Sequence, residues 1–500
     1  LHKNKLVWNT STALFQQVAT VICGFILPRM ILKTYGSSVN GLISSITQFV
    51  GIISFLELGV GSIVQSALYA PLSKHDTNEI SMIWVSANRF FKNLARILLA
   101  YIILLICIYP KFVEKSFDIF YTSLLIAAMS ISWFSQYYFG IVNGLVLKAD
   151  QRGYVLYLTQ SITLILNTIA CCILMTLSVN IQMVKLTTSV IYLCRPLILY
   201  IYVKNHYCIN KKISYSKDPI KQKWNGVAQH VAAVVLDGTD TIVLTVFSTL
   251  ESVSIYSVYY LVVSGLRQLF LTISNPIQAA MGALWVQENK EPFMKKFRFV
   301  EWSIHTLVDF VFGCTFILIV PFVKIYTSGV HDTNYDVPLF AALIVIANIC
   351  FSLKMPYYEI AVKACNHYKQ TQRSFVIATT VNIVVSIATV YKYGLIGVAI
   401  GTIIAMLYQL LWMANYVYKN ILHLGLSRFW KQLFVDVITL LVGIFLSTRI
   451  SFPTPNIFLW VVFAIGVAIE WIVVIATVNF ILYKNEMIIL LKKLRKEGTE

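Results

Sequence analysis

Charge is scarce in this sequence: Asp, Glu, Lys and Arg make up 12% of its 500 residues, while hydrophobic residues make up 58%. That is about half the charged share of an ordinary soluble domain, and it excludes a water-soluble globular fold. Acid is scarcer than base, with 22 Asp+Glu against 40 Lys+Arg and a net charge of +18. In a soluble chain such an excess would point to nucleic acid or an acidic partner; a membrane protein carries it on its cytoplasmic loops. Paired cysteine spacings are missing too. The nine cysteines form no C-x-x-C and sit mostly inside apolar runs, so neither a zinc site nor a disulfide framework is indicated. A P-loop, G-x-S-x-G, H-E-x-x-H and a DxD-like sugar-nucleotide segment are all absent, and with them any signal of ATP hydrolysis or surface catalysis. The first apolar segment is long and lacks a small-residue cleavage site, so no removable signal peptide is expected.

What is present is a succession of apolar segments. A crossing helix needs about 20 apolar residues, and fourteen segments qualify: 7–32, 38–69, 92–110, 119–147, 153–178, 181–203, 226–248, 252–286, 299–323, 337–363, 373–391, 394–418, 430–448 and 457–483. The longest connections, 70–91 and 204–225, are too short for a soluble domain. The expected fold is an all-α polytopic membrane protein of about fourteen transmembrane helices. With a cytoplasmic N-terminus, 29 Lys and Arg fall on the inner side and 6 on the outer, which puts both termini in the cytoplasm and the protein in the cell membrane. The amphipathic run Asn88 to Arg96 reads as an interfacial helix at the inner face.

The chain also resembles itself. Trp8-Asn9 opens the first segment and Trp224-Asn225 the seventh; SQYYFGIVNGLVLKADQR (135–152) parallels MPYYEIAVKACNHYKQTQR (355–373), and Asn167 is matched by Asn382. The offset stays near 215 residues, which indicates two six-helix pseudo-repeats plus two extra C-terminal helices. The corresponding lobes are 1–210 and 211–425, with 426–500 holding helices 13 and 14 and a cytoplasmic tail. Six spans per half give both halves the same topology, with a ligand site expected between them near the midplane.

The stretch LPRMILKTYGSSVNGLISSITQFVGIISFLELGVGSIVQSALYAPLSKHD (27–76) resembles the opening of oligosaccharide flippases of the Wzx type, in the multidrug/oligosaccharidyl-lipid/polysaccharide exporter (MOP) superfamily. The residues that carry it are Arg29, Tyr35-Gly36, Asn40-Gly41-Leu42 and Glu57-Leu58-Gly59-x-Gly61. The resemblance implies a transporter, not an enzyme, that moves undecaprenyl-diphosphate-linked oligosaccharide repeat units from the inner to the outer leaflet by alternating access, for surface polysaccharide biosynthesis. Implied partners are that glycan, membrane lipids and other polysaccharide-assembly proteins, with no nucleic acid. No cofactor or metal is expected; coupling would be to H+, Na+ or the membrane potential.

Basic residues inside spans each cost about 2.5–3.5 kcal/mol at a helix centre and need a partner, a wet cavity or a route to the interface. They are Arg29, Lys185, Arg195, Arg267 and Lys354. A diphosphate is strongly anionic and Arg meets phosphate oxygens with a fork, so Arg29, Arg195, Arg267 and Lys354 are the cargo-binding candidates. Arg267 leads because it lies mid-span, where snorkelling is hard. Arg29 near a helix end could snorkel, Arg195 and Lys354 each stand by a proline and could instead meet a carboxylate or a freed carbonyl, and Lys185 reads as interfacial. The coupling or gating candidates are Glu57, Asp237, Asp240, His305 and Asp309. Asp237 and Asp240 are three apart, hence expected on one face, with Gly238 between them and His230 seven before; His305 and Asp309 are four apart. These acids could equally be salt-bridged as structure. Asp436 and Glu470 lie in the appended spans and are not favoured.

Two other functions compete. A cation- or proton-coupled multidrug exporter of the same superfamily would take cationic cargo and should show an acidic cavity without basic lining. A polytopic membrane glycosyltransferase or polysaccharide polymerase should show a sizeable outer loop with catalytic residues, and the outer loops here are short.

Overall fold

The structure is a computed structural model that describes residues 2–113, 116–213, 219, 227–287, 290–447, 449, 456–484 and 486–488. Among these residues no strand occurs. The helices are α1 (His2–Tyr35), α2 (Ser37–Gly51), α3 (Phe55–Lys74), α4 (Thr77–Val113), α5 (Ile119–Ser135), α6 (Ile141–Ala149), α7 (Gly153–Thr176) and α8 (Ile181–His206). They continue as α9 (Val227–Phe247), α10 (Leu250–Trp285), α11 (Glu291–Tyr326), α12 (Pro338–Leu353), α13 (Tyr368–Tyr393), α14 (Leu395–Asn420), α15 (Ser427–Ser447) and α16 (Ile457–Leu482). Two interruptions join helices end to end, a 3-10 turn at Ile52–Ser54 and a π-helical segment at Gln136–Gly140, while a second π-helical segment at Pro356–Val362 extends α12. Joining across them leaves fourteen rods among the described residues. Eleven are long and apolar enough to cross a membrane, which makes this a multi-pass membrane protein. The rods 37–74, Val227–Phe247 and Leu250–Trp285 are not among the eleven, so for them a crossing rests on helix continuity.

Two sequence features take a different form in the structure. Asn88 to Arg96 is no separate interfacial helix. It lies within α4, whose 37 residues extend about 55 Å at 1.5 Å per residue, well beyond a hydrocarbon core of about 30 Å. The second is the expected segment 38–69, which is not one continuous α-helix: a 3-10 turn at Ile52–Ser54 interrupts it.

The chain packs as two units, Leu1–Ser254 and Ile255–Glu500. In the first, α2 and α3 hold α9 over a core that includes Leu42, Ile46, Val64, Leu98 and Ile126. Here the flippase-like residues have structural work. Gly36 adopts φ 84 between α1 and α2, a conformation costly for any side chain, and the Tyr35 hydroxyl donates to the Val179 carbonyl. A Cβ on Gly41 would collide with the Leu250 carbonyl. That close approach lets Asn40 donate to Ser254 Oγ at 2.8 Å and brings Ser45 within 2.7 Å of Thr245.

In the second unit, α15 and α16 pack on α11. Trp471 of α16 is fully buried, its ring against Gly313 and Gly443, and Trp302 of α11 donates to Asn479 Oδ1 at 2.7 Å. The two parallel sequence stretches also share a local structure. Tyr137-Tyr138 lies in the first π segment and Tyr357-Tyr358 in the second, and each stretch turns toward the next helix through a left-handed residue, Gln151 at φ 56 and Asn366 at φ 59.

Candidate functional site

Lys354 stands where a helix breaks. Pro356 has no backbone N–H and cannot continue a regular helix; α12 stops at Leu353 and the chain resumes as a π-helix, an irregularity common at functional positions. The break carries Lys354 into the interior, where it is 2% exposed. Its Nζ donates to Gln409 Oε1 of α14 at 2.5 Å and lies 4.5 Å from the centroid of the Phe351 ring and 5.4 Å from that of Phe375. Arg267 of α10 approaches the same ring, its guanidinium carbon 3.8 Å from the Phe351 centroid. Two of the four cargo candidates therefore share one aromatic ring. Cation–π attraction of about 0.5–2 kcal/mol per pair offsets part of the cost of holding them there.

A second constellation is built on α11. Glu301, His305 and Asp309 recur every four residues and so share one face, and all three are at most 2% exposed. His305 Nδ1 meets Asp436 Oδ2 of α15 at 2.6 Å, and Gln432 donates to the other oxygen of Asp436 at 2.8 Å. Tyr357, on the second π segment, donates to Glu301 Oε1 at 2.8 Å and lies 3.2 Å from His305 Nε2. Tyr418 of α14 donates to both Glu301 oxygens at 2.8 and 2.9 Å, and Arg428 Nε approaches Glu301 Oε2 at 3.5 Å. Asp309 Oδ1 has no hydrogen-bond partner among the described residues. A continuous line of hydrogen-bonding groups thus runs from Glu301 through Tyr357 and His305 to Asp436 and Gln432, with Arg428 ion-paired to Glu301 at one end and Asp309 one helical turn from His305.

The other candidates belong to the first unit. Arg29 is exposed on α1. Arg195 is held within the α7–α8 pair, donating to Thr163 Oγ1 at 2.7 Å and lying 3.7 Å over the Tyr192 ring. Asp237 is exposed and Asp240 buried on α9, so the two differ in surroundings despite their spacing; Gln48 lies against Gly238 between them. The side chains of Glu57 and His230 lie outside the described residues. Lys185, expected at the interface, lines a pocket of about 220 Å³ with Asn167, Thr188 and Tyr192.

Sequence reasoning missed Glu301, Tyr357, Tyr418, Gln432 and Phe351, and set Asp436 aside. Glu301 had a signal, its four-residue spacing to His305, hidden because it stands at the edge of the expected span 299–323. The others carry no local signal.

At one end of the first unit a polar latch explains the Trp8-Asn9 motif. Asn9 donates to the Gln151 carbonyl at 2.8 Å and accepts from the Tyr154 N–H at 2.7 Å, closing the α6–α7 turn onto α1; the counterpart Trp224-Asn225 lies outside the described residues. Beside it Asp150 accepts from Tyr207 at 2.6 Å and pairs with Arg152 at 2.8 Å. Burial, reinforced by the Asp150 carboxylate, pushes the Tyr207 phenol above its usual range.

The arrangement is that of a polytopic helical membrane protein with charge buried inside its C-terminal unit. No protein-family model matches the chain, and no curated protein matches its sequence. Solved structures do. The lipid II flippase MurJ, in an inward-closed conformation, superposes with a TM-score of 0.69 at 18% identity, covering 96% of this chain and 100% of that one. An inward-facing multidrug-resistance MATE transporter of the MOP superfamily gives a TM-score of 0.59 at 13% identity over 83% of this chain and 98% of that one. The eukaryotic MATE transporter AtDTX14 gives 0.56 at 12% identity over 83% and 95%. The protein therefore has the fold of MOP-superfamily transporters.

Proposed function

We propose that the protein is a flippase of the Wzx type, which moves undecaprenyl-diphosphate-linked oligosaccharide repeat units from the inner to the outer leaflet of the cytoplasmic membrane by alternating access. The observation that carries this reading is the convergence of Arg267 and Lys354 on Phe351. Two cations held at one ring form a locus of positive charge, and a diphosphate is an anion with oxygens matched to the guanidinium fork. The fold shared with a lipid II flippase along the whole chain supports the same class of cargo. The α11 cluster is the proposed coupling element, since protonatable groups inside spans mark ion and proton sites in transporters. The distribution of Lys and Arg supports an orientation with both termini in the cytoplasm.

The test is complementation. A strain lacking the protein should lose its surface glycan and accumulate the lipid-linked repeat unit at the inner leaflet, and the intact chain should restore export. Normal export without the protein would refute the reading. A second reading, a cation- or proton-coupled multidrug exporter, is favoured by the acidic α11 cluster and by the MATE fold. Drug susceptibility of the same strain separates the two, because a flippase deletion leaves resistance to cationic drugs unchanged.

A further inference from the structure

A cleft of about 630 Å³ opens where α11, α15 and the segment after α16 meet, lined by Arg298, Arg428, Lys431 and Lys484, with Glu486 as the opposing acid and Ile481 on an apolar side. Four cations against one carboxylate in a single concavity attract an anion. Arg428 is preorganised: Nε faces the buried Glu301 at 3.5 Å, and Nη2 lies 3.4 Å from both Glu486 Oε1 and the Arg298 carbonyl. Its Nη1 makes no hydrogen bond among the described residues. Lys431 and Lys484 are exposed and can swing toward a ligand.

The surroundings narrow the anion's class. Ile481, 71% exposed, lines the cleft, and Phe480, 54% exposed, has its ring 5.9 Å from Lys484 Nζ, so apolar side chains at the end of α16 flank the cationic floor. A small soluble anion has no use for such a flank; an amphipathic molecule fills both parts. The geometry points to a binding site for the phosphate of an acidic phospholipid, with the headgroup on Arg428, Lys431 and Lys484 and the acyl chains along Ile481 and Phe480. In the proposed orientation this is an inner-leaflet lipid. A phosphate on Nη1 leaves the Nε contact with Glu301 intact, so occupancy stiffens the anchor of the α11 cluster without breaking it. The site is independent of which cargo the protein carries.

The test is native mass spectrometry of the full-length chain in detergent, titrated with phosphatidylglycerol or phosphatidylcholine. Selective retention of phosphatidylglycerol is expected. The double variant Lys431→Gln/Lys484→Gln should bind it roughly 10- to 30-fold more weakly, since a basic residue near an anionic surface contributes about a factor of five. Lys295→Gln/Lys296→Gln, exposed on α11 but outside the cleft, should bind as the parent does. Equal binding in parent and cleft variant, or equal loss in the control variant, would overturn the site. Displacement of the lipid by millimolar inorganic phosphate would overturn the lipid assignment in favour of the free anion. Elution profile and thermal midpoint monitor folding; if the double variant misfolds, Lys484→Glu alone carries the same expectation.

Discussion

His305 of α11 and Asp436 of α15 form a hydrogen bond of 2.6 Å in which neither side chain is more than 1% exposed. The contact joins α11 to α15. A buried polar pair of this kind is seldom a net source of stability, because desolvation offsets its attraction. Tyr357 stands on the other side of the imidazole and links it to Glu301.

The pair predicts a specific non-additivity. Asp436→Asn or His305→Leu alone should lower stability by about 3–5 kcal/mol, because each leaves a buried polar partner behind. His305→Leu combined with Asp436→Leu should cost clearly less than the sum of the single changes. Thermal unfolding in detergent of all members of the cycle measures this.

Cargo recognition should depend on the two cations at Phe351. Arg267→Ala and Lys354→Gln are each expected to reduce export by about 10- to 150-fold, the loss of one hydrogen bond to a charged group at about 1.5–3 kcal/mol. Surface glycan is the readout, with membrane levels of the protein unchanged. An unaltered glycan in both variants would sink the proposed cargo site.

Close approach at Gly41 should be intolerant of even a methyl group. Gly41→Ala places its Cβ on the Leu250 carbonyl, and backbone cannot yield as a flexible side chain does. A loss of about 1–3 kcal/mol or more is expected from overpacking, seen as a lower thermal midpoint and reduced yield in the membrane.

The Asp150–Tyr207 latch has a defined pH signature. The folded state holds the Tyr207 proton more tightly than the unfolded chain does, so its contribution is whole below the ordinary phenol value of about 10 and declines only as pH rises through the higher folded value. Tyr207→Phe should therefore cost about 1 kcal/mol at both pH 7 and pH 9. A penalty that shrank between those two values, in matched thermal unfolding experiments, would show that the hydroxyl is not held as the structure has it.

Much of the protein is local and therefore legible from sequence. Apolar runs of about 20 residues become helices because nothing in a bilayer satisfies backbone groups except the helix itself, and the repeated Tyr-Tyr stretches proved to share a π-helical segment. Gly36 and Gly41 stood out in sequence, and each has a steric reason. The spacing of His305 and Asp309 likewise placed both on one face without reference to any neighbour. What sequence could not supply was which faces meet. Asp436 lies 131 residues from His305, and nothing in its own helix distinguishes it from an isolated boundary acid. Arg195 and Arg267 read alike as mid-span arginines, yet one is tied into the α7–α8 pair and the other stands with Lys354 on Phe351. Helix formation is decided by neighbours a few residues away, whereas the partner of a buried charge is decided by side-chain packing between helices distant in the chain. Only the tertiary structure carries that information.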